Sequence, residues 1–279
     1  MLFLLGMLLT AATLTACRAY GVRRVAVLAS IAGAMLSIQV EAVLGLAPFV
    51  GLLFGAQLER HHSYGQVIAG MVVPGGLLAL WLLLAAYGSV EQREEQVEQL
   101  VGQLQAMGLA MTDEGYSLRE LALAGLRLRP STEFISLMLM GVLAYRLGFA
   151  VAPRLNLSVP DPLPFALWKP WPELIWLLIV GLVLKLVASG FLEELGLNLL
   201  VVVTAVYAVH GAAVCRFFAA RLGVPRLLEF LVYGFFAMTA GLSVMLLALA
   251  GLLDTRFDWR RLDAAGPQDP PEKYADNIA

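Results

Sequence analysis

Charged residues are scarce in this sequence: they make up 14% of its 279 residues, against about 25% in a typical soluble domain. Only two cysteines occur, Cys17 and Cys215, too few for a disulfide framework or a cysteine-based zinc site. The net charge of −2 provides no broad basic field for nucleic acid. The chain also lacks a Walker loop, a zinc-protease motif and a nucleophile elbow. We therefore expect neither an enzyme nor a site for a metal or cofactor.

Hydrophobic residues, by contrast, make up 60% of the chain. They fall into about eight runs long enough to match the hydrocarbon core of a bilayer, which is ~30 Å thick. Backbone polar groups must be paired internally in lipid, so each run is predicted to be a helix. The fold class is therefore all-α, a polytopic helical bundle in a membrane. The runs are Met1–Ala16, Val25–Val40, Ala42–Leu58, Val67–Tyr87, Phe134–Ala150, Leu174–Ala188, Leu197–Cys215 and Leu227–Leu253.

One segment, residues 89–130, is polar, with apolar residues at helical spacing. Ser117 and Glu120 fit a capping box that opens its second helix, and Pro130 is predicted to end that helix. We read an amphipathic helical hairpin outside the hydrocarbon core, inserted into a transmembrane domain of residues 1–258. Residues 259–279 are predicted to form a polar, disordered tail. A break near Thr239 in the last apolar run is an alternative that would change the side on which this tail lies.

Polar residues inside or beside the apolar runs are candidates for ligand binding, because burying them in a membrane is costly. They are Gln39, Glu41, Lys185, Asn198 and His210. Each has an alternative interpretation that involves no ligand. Gln39 and Glu41 fit a solvated turn. Lys185 fits a side chain extending toward Glu193 or Glu194, and Asn198 and His210 fit hydrogen bonding between helices.

Small residues recur at four-residue spacing, which allows helices to approach closely. The pattern predicts packing within the bundle or docking of a partner's helix. It comprises Ala26, Ser30 and Ala34, then Gly51 and Gly55, and then Ala208 and Ala212.

Several segments, taken in order, resemble the YybS-like family of bacterial membrane proteins, the domain of unknown function 2232. They are Tyr20–Arg24, Phe49–Gly55, Pro164–Pro170 and Gly251–Arg260, the last being most similar to the closing segment of that family. The resemblance implies a bacterial protein and assigns no catalytic residue. It also implies a helix before Tyr20–Arg24 additional to the one present, so we expect the native chain to begin further upstream.

Positive charge concentrates in alternate connections, which the positive-inside rule places in the cytoplasm. With the resemblance, this predicts a multi-pass protein of the bacterial inner membrane. The helical pattern of the family is similar to the substrate-binding S components of energy-coupling-factor transporters. The first functional hypothesis is therefore a transport-associated protein that binds a small solute. The alternative is a membrane scaffold or regulator that acts through helix–helix contacts. Its expected partners are the lipid bilayer and another membrane protein.

Overall fold

The computed structural model describes residues 2–21, 25–26, 29, 48, 51–52, 90–107, 117–151, 154, 164–225, 228, 231–232, 234 and 239–262. Most of these residues are helical or in turns, and none of them forms a strand, so the all-α class is confirmed for this part of the chain. Its helices are α1 (Leu2–Tyr20), α2 (Val90–Ala106), α3 (Leu118–Val151), α4 (Leu174–Val187), α5 (Phe191–Arg221) and α6 (Ala240–Phe257).

Two compact units can be distinguished. The first comprises residues 1–78 and 133–163, and the second comprises residues 79–132 and 164–279. In the first unit, α1 lies close to Gly51: a Cβ added there would come 2.7 Å from the carbonyl oxygen of Thr10. Cys17 is buried in a small apolar cluster with Val25 and Ala29. Gly51 is thus a site of close packing.

The second unit begins with α2 and the first part of α3. Val97 on α2 and Ala122 on α3 are buried, and the Leu100 side chain lies 3.5 Å from where a Cβ on Gly125 would stand. Both segments are helical, as the spacing of their apolar residues predicts. Most other side chains of α2 and of this part of α3 are exposed, and the hairpin stays a prediction.

The capping box that opens α3 is confirmed. The Ser117 backbone N–H donates to the Glu120 carboxylate at 2.8 Å, and the Glu120 N–H donates back to the Ser117 hydroxyl at 3.2 Å. The Ser117 hydroxyl also donates to the Glu120 carboxylate, at 3.0 Å. The bonds from the Ser117 N–H and hydroxyl lower the pKa of Glu120 below its ordinary value. Glu120 is therefore ionised at neutral pH.

The prediction that a helix ends at Pro130 is wrong. Helix α3 continues through Pro130 to Val151, so the amphipathic helix and the fifth apolar run form one helix. Proline removes a hydrogen bond inside a helix, and the freed groups need other partners. Here the Ser131 N–H donates to Asn198 Oδ1 at 2.9 Å, and the Arg127 carbonyl accepts from Asn198 Nδ2 at 2.8 Å. A side chain from another helix thus supplies part of the hydrogen bonding around the proline.

Helices α4 and α5 form a tight antiparallel hairpin. Gly190 between them has φ 64° and ψ −131°, a backbone conformation that only glycine adopts readily. Gly196 on α5 faces Gly181 on α4. A Cβ added to Gly196 would come 2.8 Å from the Gly181 carbonyl oxygen. Absence of a side chain at both positions lets the two backbones approach each other.

Helix α6 packs antiparallel on α5 in the same way. A Cβ on Gly211 would overlap the Leu247 backbone, and one on Gly251 would overlap the Tyr207 carbonyl oxygen. Helix α6 begins at Ala240, and Thr239 before it has non-helical dihedral angles. Helix α6 thus begins where the alternative interpretation of the last apolar run placed a break, and the side on which the tail lies stays open.

Within the described residues, one helix, α5, is both long and apolar enough to cross a membrane. Helix α4 is apolar but shorter, and its outward surface is almost wholly hydrophobic. The exposed side chains of α4 are Ile175, Trp176, Leu177, Ile179, Val180, Leu182, Val183, Leu186 and Val187. Soluble monomers rarely expose an apolar surface of this extent. The number of eight membrane segments stays a prediction.

Candidate functional site

The main buried polar feature of the second unit is a cluster of ionisable side chains, the buried ion cluster, made of His210, Asp254 and Arg260. The three side chains have no exposed surface. His210 lies on α5, Asp254 in the last turn of α6 and Arg260 just beyond it. Ionisable residues buried in an apolar bundle are rare and must be compensated, so this cluster is the leading candidate site.

A sharp turn after α6 brings Arg260 back to the helix. Asp258 adopts the left-handed conformation, with φ 43° and ψ 53°, and its N–H donates to the Asp254 carbonyl. The turn is held by the Asp258 carboxylate, which accepts from the Leu262 N–H at 3.1 Å and lies 3.7 Å from the Lys169 ammonium. Arg260 therefore points inward and its guanidinium faces α5.

The Arg260 guanidinium bonds three segments of the chain together. Its Nε donates to Asp254 Oδ2 at 3.0 Å, and Nη2 lies 2.9 Å from the same oxygen. Nη1 donates to the Ala166 carbonyl at 2.5 Å, and Nη2 donates to the Trp168 carbonyl at 3.1 Å. One side chain thus neutralises a buried carboxylate and satisfies two backbone carbonyls.

His210 completes the network as a neutral ring. His210 Nε2 lies 2.6 Å from Arg260 Nη2 and 3.1 Å from Asp254 Oδ2, so it contacts both a donor and a carboxylate acceptor. Nδ1 lies 3.3 Å from the Thr255 hydroxyl, which donates to the Gly251 carbonyl at 3.0 Å. Protons on both ring nitrogens would place two cations in contact.

This arrangement allows a non-helical segment to lie within an apolar bundle. Residues 164–170 form one 3-10 turn and extended backbone against α5, with Ala166 and Pro170 buried. His210 lies inside the predicted apolar run Leu197–Cys215, about 8 Å along the helix from its end. Non-helical backbone at membrane depth is tolerated only where its polar groups are paired with protein. Arg260 supplies that pairing for the carbonyls of Ala166 and Trp168.

Two buried polar atoms near the cluster, Trp168 Nε1 and Tyr207 Oη, have no hydrogen-bond partner among the described residues. The Trp168 ring packs edge-on against His210, with centroids 6.1 Å apart. Tyr207 lies one turn before His210 on α5 and has 1% of its surface exposed. Buried polar groups in native proteins normally find a partner. These two atoms keep unused hydrogen-bonding capacity.

Asn198 was predicted to bind a ligand or, alternatively, to form hydrogen bonds between helices. The structure shows hydrogen bonds between helices. Its Oδ1 accepts from the Ser131 N–H at 2.9 Å, and its Nδ2 donates to the Arg127 carbonyl at 2.8 Å and to the Glu194 carbonyl at 2.9 Å. Residues four apart, such as 127 and 131, bond each other in an uninterrupted α-helix. The carboxamide of Asn198 therefore bridges α3 next to Pro130.

We predict that Asn198→Leu destabilises the protein by about 1–3 kcal/mol, because the Ser131 N–H is left buried without its acceptor. Thermal unfolding of the purified protein in detergent measures the change. Thr132→Ala, which removes an exposed hydroxyl bonded only to its own helix, serves as the control and is expected to change stability little. Equal effects of the two substitutions would contradict the bridging role.

Lys185 also follows its alternative interpretation, since its ammonium pairs with the Glu193 carboxylate. Ala208 is buried on α5, and the backbone of α5 comes close to that of α6 at Gly211. Gln39, Glu41, Ser30, Ala34 and Gly55 lie outside the described residues. Of the five ligand-binding candidates, the structure thus describes three, and each contacts a different element.

Asp254 and Arg260 are the functional candidates that the sequence analysis missed. Arg260 falls in the predicted tail, yet 4% of its surface is exposed. The sequence does contain a pattern that could have identified them. An acidic and a basic residue flank the end of a helix in an otherwise apolar sequence. Residues 263–279 lie outside the described residues, so the disordered tail stays a prediction there.

In the described residues, which form no strand, a helix of membrane-crossing length and a wide exposed apolar face are typical of an α-helical membrane protein. Residues 1–255 match the model of the predicted membrane protein family DUF2232. The chain belongs to that family, as the resemblance of its segments predicts. No curated protein and no solved structure matches the chain. The similarity to transporter S components stays a prediction.

Proposed function

We propose that this chain is a multi-pass protein of the bacterial inner membrane that acts as a scaffold or regulator through contacts with other membrane helices. The observation that supports this most is how the described candidate residues are used. Lys185 pairs with Glu193, Asn198 bonds α3, and His210 is enclosed by Arg260 and Asp254. A solute site needs polar groups that converge on one cleft with free bonding capacity.

The surface most suited to a partner is the exposed apolar face of α4. It has no charge between Leu174 and Leu184, and Ile179, Val180 and Val183 on it are exposed. Helices associate in membranes through van der Waals packing and backbone approach. A partner helix packed on this face would leave the internal hydrogen bonds of the unit intact.

Site-specific photo-crosslinking in intact cells tests the proposal. A crosslinker at Val183 is expected to yield one discrete protein adduct, whereas one at Gln103, exposed on α2, is expected not to yield that adduct. Lipid adducts alone at Val183 and at the neighbouring Val180 would contradict the scaffold function.

A second candidate is a transport-associated solute-binding protein, supported by the unpaired Trp168 Nε1 and Tyr207 Oη. Mass spectrometry of the purified protein would then detect one reproducible small solute, which Tyr207→Phe would release. Lys185→Ala would disturb binding only if Lys185 faced that solute. Recovery of lipid without a solute, together with the Val183 adduct, would favour the scaffold.

A further inference from the structure

The buried ion cluster contains one carboxylate and two side chains that can carry a positive charge. Asp254 Oδ2 lies 3.0 Å from Arg260 Nε, 2.9 Å from Arg260 Nη2 and 3.1 Å from His210 Nε2. While His210 is neutral, the charges of Asp254 and Arg260 cancel. Protons on both ring nitrogens of His210 would leave one buried positive charge without a counter-charge, which is costly.

The surroundings of the ring add a further cation. Besides Arg260 and Asp254, the charged side chain that acts on His210 among the described residues is Lys169, whose ammonium lies 3.7 Å from the Asp258 carboxylate. The side chains of the cluster have no exposed surface, so salt and water screen their charges little. Repulsion between the cations therefore opposes a doubly protonated ring while the cluster is closed.

The same cluster attaches the non-helical segment 164–170 to the bundle. Arg260 donates to the Ala166 and Trp168 carbonyls. The Trp168 ring packs edge-on against His210. If Arg260 moves away from a protonated His210, both carbonyls lose this donor and the ring contact is broken. Opening of the cluster therefore loosens the segment as well.

We propose that the buried ion cluster is a pH-sensitive switch, in which protonation of His210 separates Arg260 and the segment 164–170 from α5. In the open arrangement the His210 ring is in contact with water, and an exposed histidine takes up a proton below about pH 6.5. Only the open arrangement binds this extra proton. Each pH unit below that value therefore makes opening about tenfold more favourable.

Hydrogen–deuterium exchange of the full-length protein in nanodiscs, at about pH 7.5 and about pH 5.5, tests this. The Leu167 and Trp168 amides donate to the Pro164 and Phe165 carbonyls, so their exchange reports on opening of the segment. After correction for slower chemical exchange in acid, we expect them to exchange about tenfold faster at the lower pH. Amides of residues 179–183 in α4 are expected to change less than about twofold, because the opening is local. Equal acceleration in α4 would show general unfolding and overturn the proposal.

His210→Gln keeps a polar side chain but cannot take up the proton, so it is expected to abolish the pH response. The double variant His61→Gln, His62→Gln makes the same change at the other two histidines of the chain and is expected to keep the response. Because His210 is then the only histidine, solid-state nitrogen NMR of this double variant reports the protonation of its ring without any change in the cluster. The ring is expected to be neutral at about pH 7.5.

Three results would each overturn the proposal. They are equal exchange of the 164–170 amides at the two pH values, a pH response that persists in His210→Gln, and a doubly protonated His210 ring at about pH 7.5.

Discussion

Asp254→Asn is expected to destabilise the protein by about 3–5 kcal/mol, because it leaves a buried arginine without its counter-charge. The substitution keeps the size of the side chain and removes only the charge. Arg260 would then lie fully buried against a neutral histidine and two carbonyls. Thermal unfolding in detergent, followed by the fluorescence of the native tryptophans, measures the loss.

Asp258→Asn is the matched control. Its carboxylate lies 3.7 Å from Lys169 and is partly exposed, so its loss is expected to cost no more than about 1 kcal/mol. The double variant Asp254→Met, Arg260→Met removes both charges but leaves the Ala166 and Trp168 carbonyls without a donor, so only partial recovery is expected. If Asp254→Asn destabilises the protein no more than Asp258→Asn does, the buried ion cluster does not hold the unit together.

The helical pattern could be predicted where a local rule determines it. The sixth apolar run corresponds to α4, and the seventh lies within α5. The Ser117–Glu120 capping box opens α3 as expected, and the break at Thr239 starts α6. Each depends on residues within a few positions of one another, which is the range over which capping and hydrophobic periodicity act.

The continuation of α3 through Pro130 could not be predicted, because its cause lies far along the chain. Asn198 is 67 residues from Ser131, yet its carboxamide bonds the backbone on both sides of the proline. Sequence rules that act over a few residues include the hydrogen bond that proline removes. They do not include a replacement hydrogen bond from a residue on another helix. The same limit applies to Arg260, whose acceptors at Ala166 and Trp168 are more than 90 residues away.

Small-residue spacing selected Ala208 and Ala212 on α5 as packing positions, and this part of the pattern stays a prediction. A close backbone approach to α6 lies between them, at Gly211. Four-residue spacing describes a stripe on one helix, and the orientation of the neighbouring helix decides which stripe is used. The residue of α6 that lies against the α5 backbone near Gly211 is Gly251. Glycine alone allows contact with a backbone oxygen.

Gly251→Ala is accordingly expected to cost at least about 3 kcal/mol, because the added methyl group would meet the Tyr207 carbonyl oxygen and the backbone of Gly211. Neither is the flexible end of a side chain, so α5 and α6 would have to separate and the buried ion cluster would be disturbed. Gly241→Ala on the same helix is the control, since a Cβ there has nothing within 4 Å. Alanine favours a helix by about 1 kcal/mol over glycine, so the control is expected to be neutral or stabilising. Thermal unfolding of both variants in the same detergent measures the difference, and equal unfolding temperatures would show that α5 and α6 do not approach each other at Gly251.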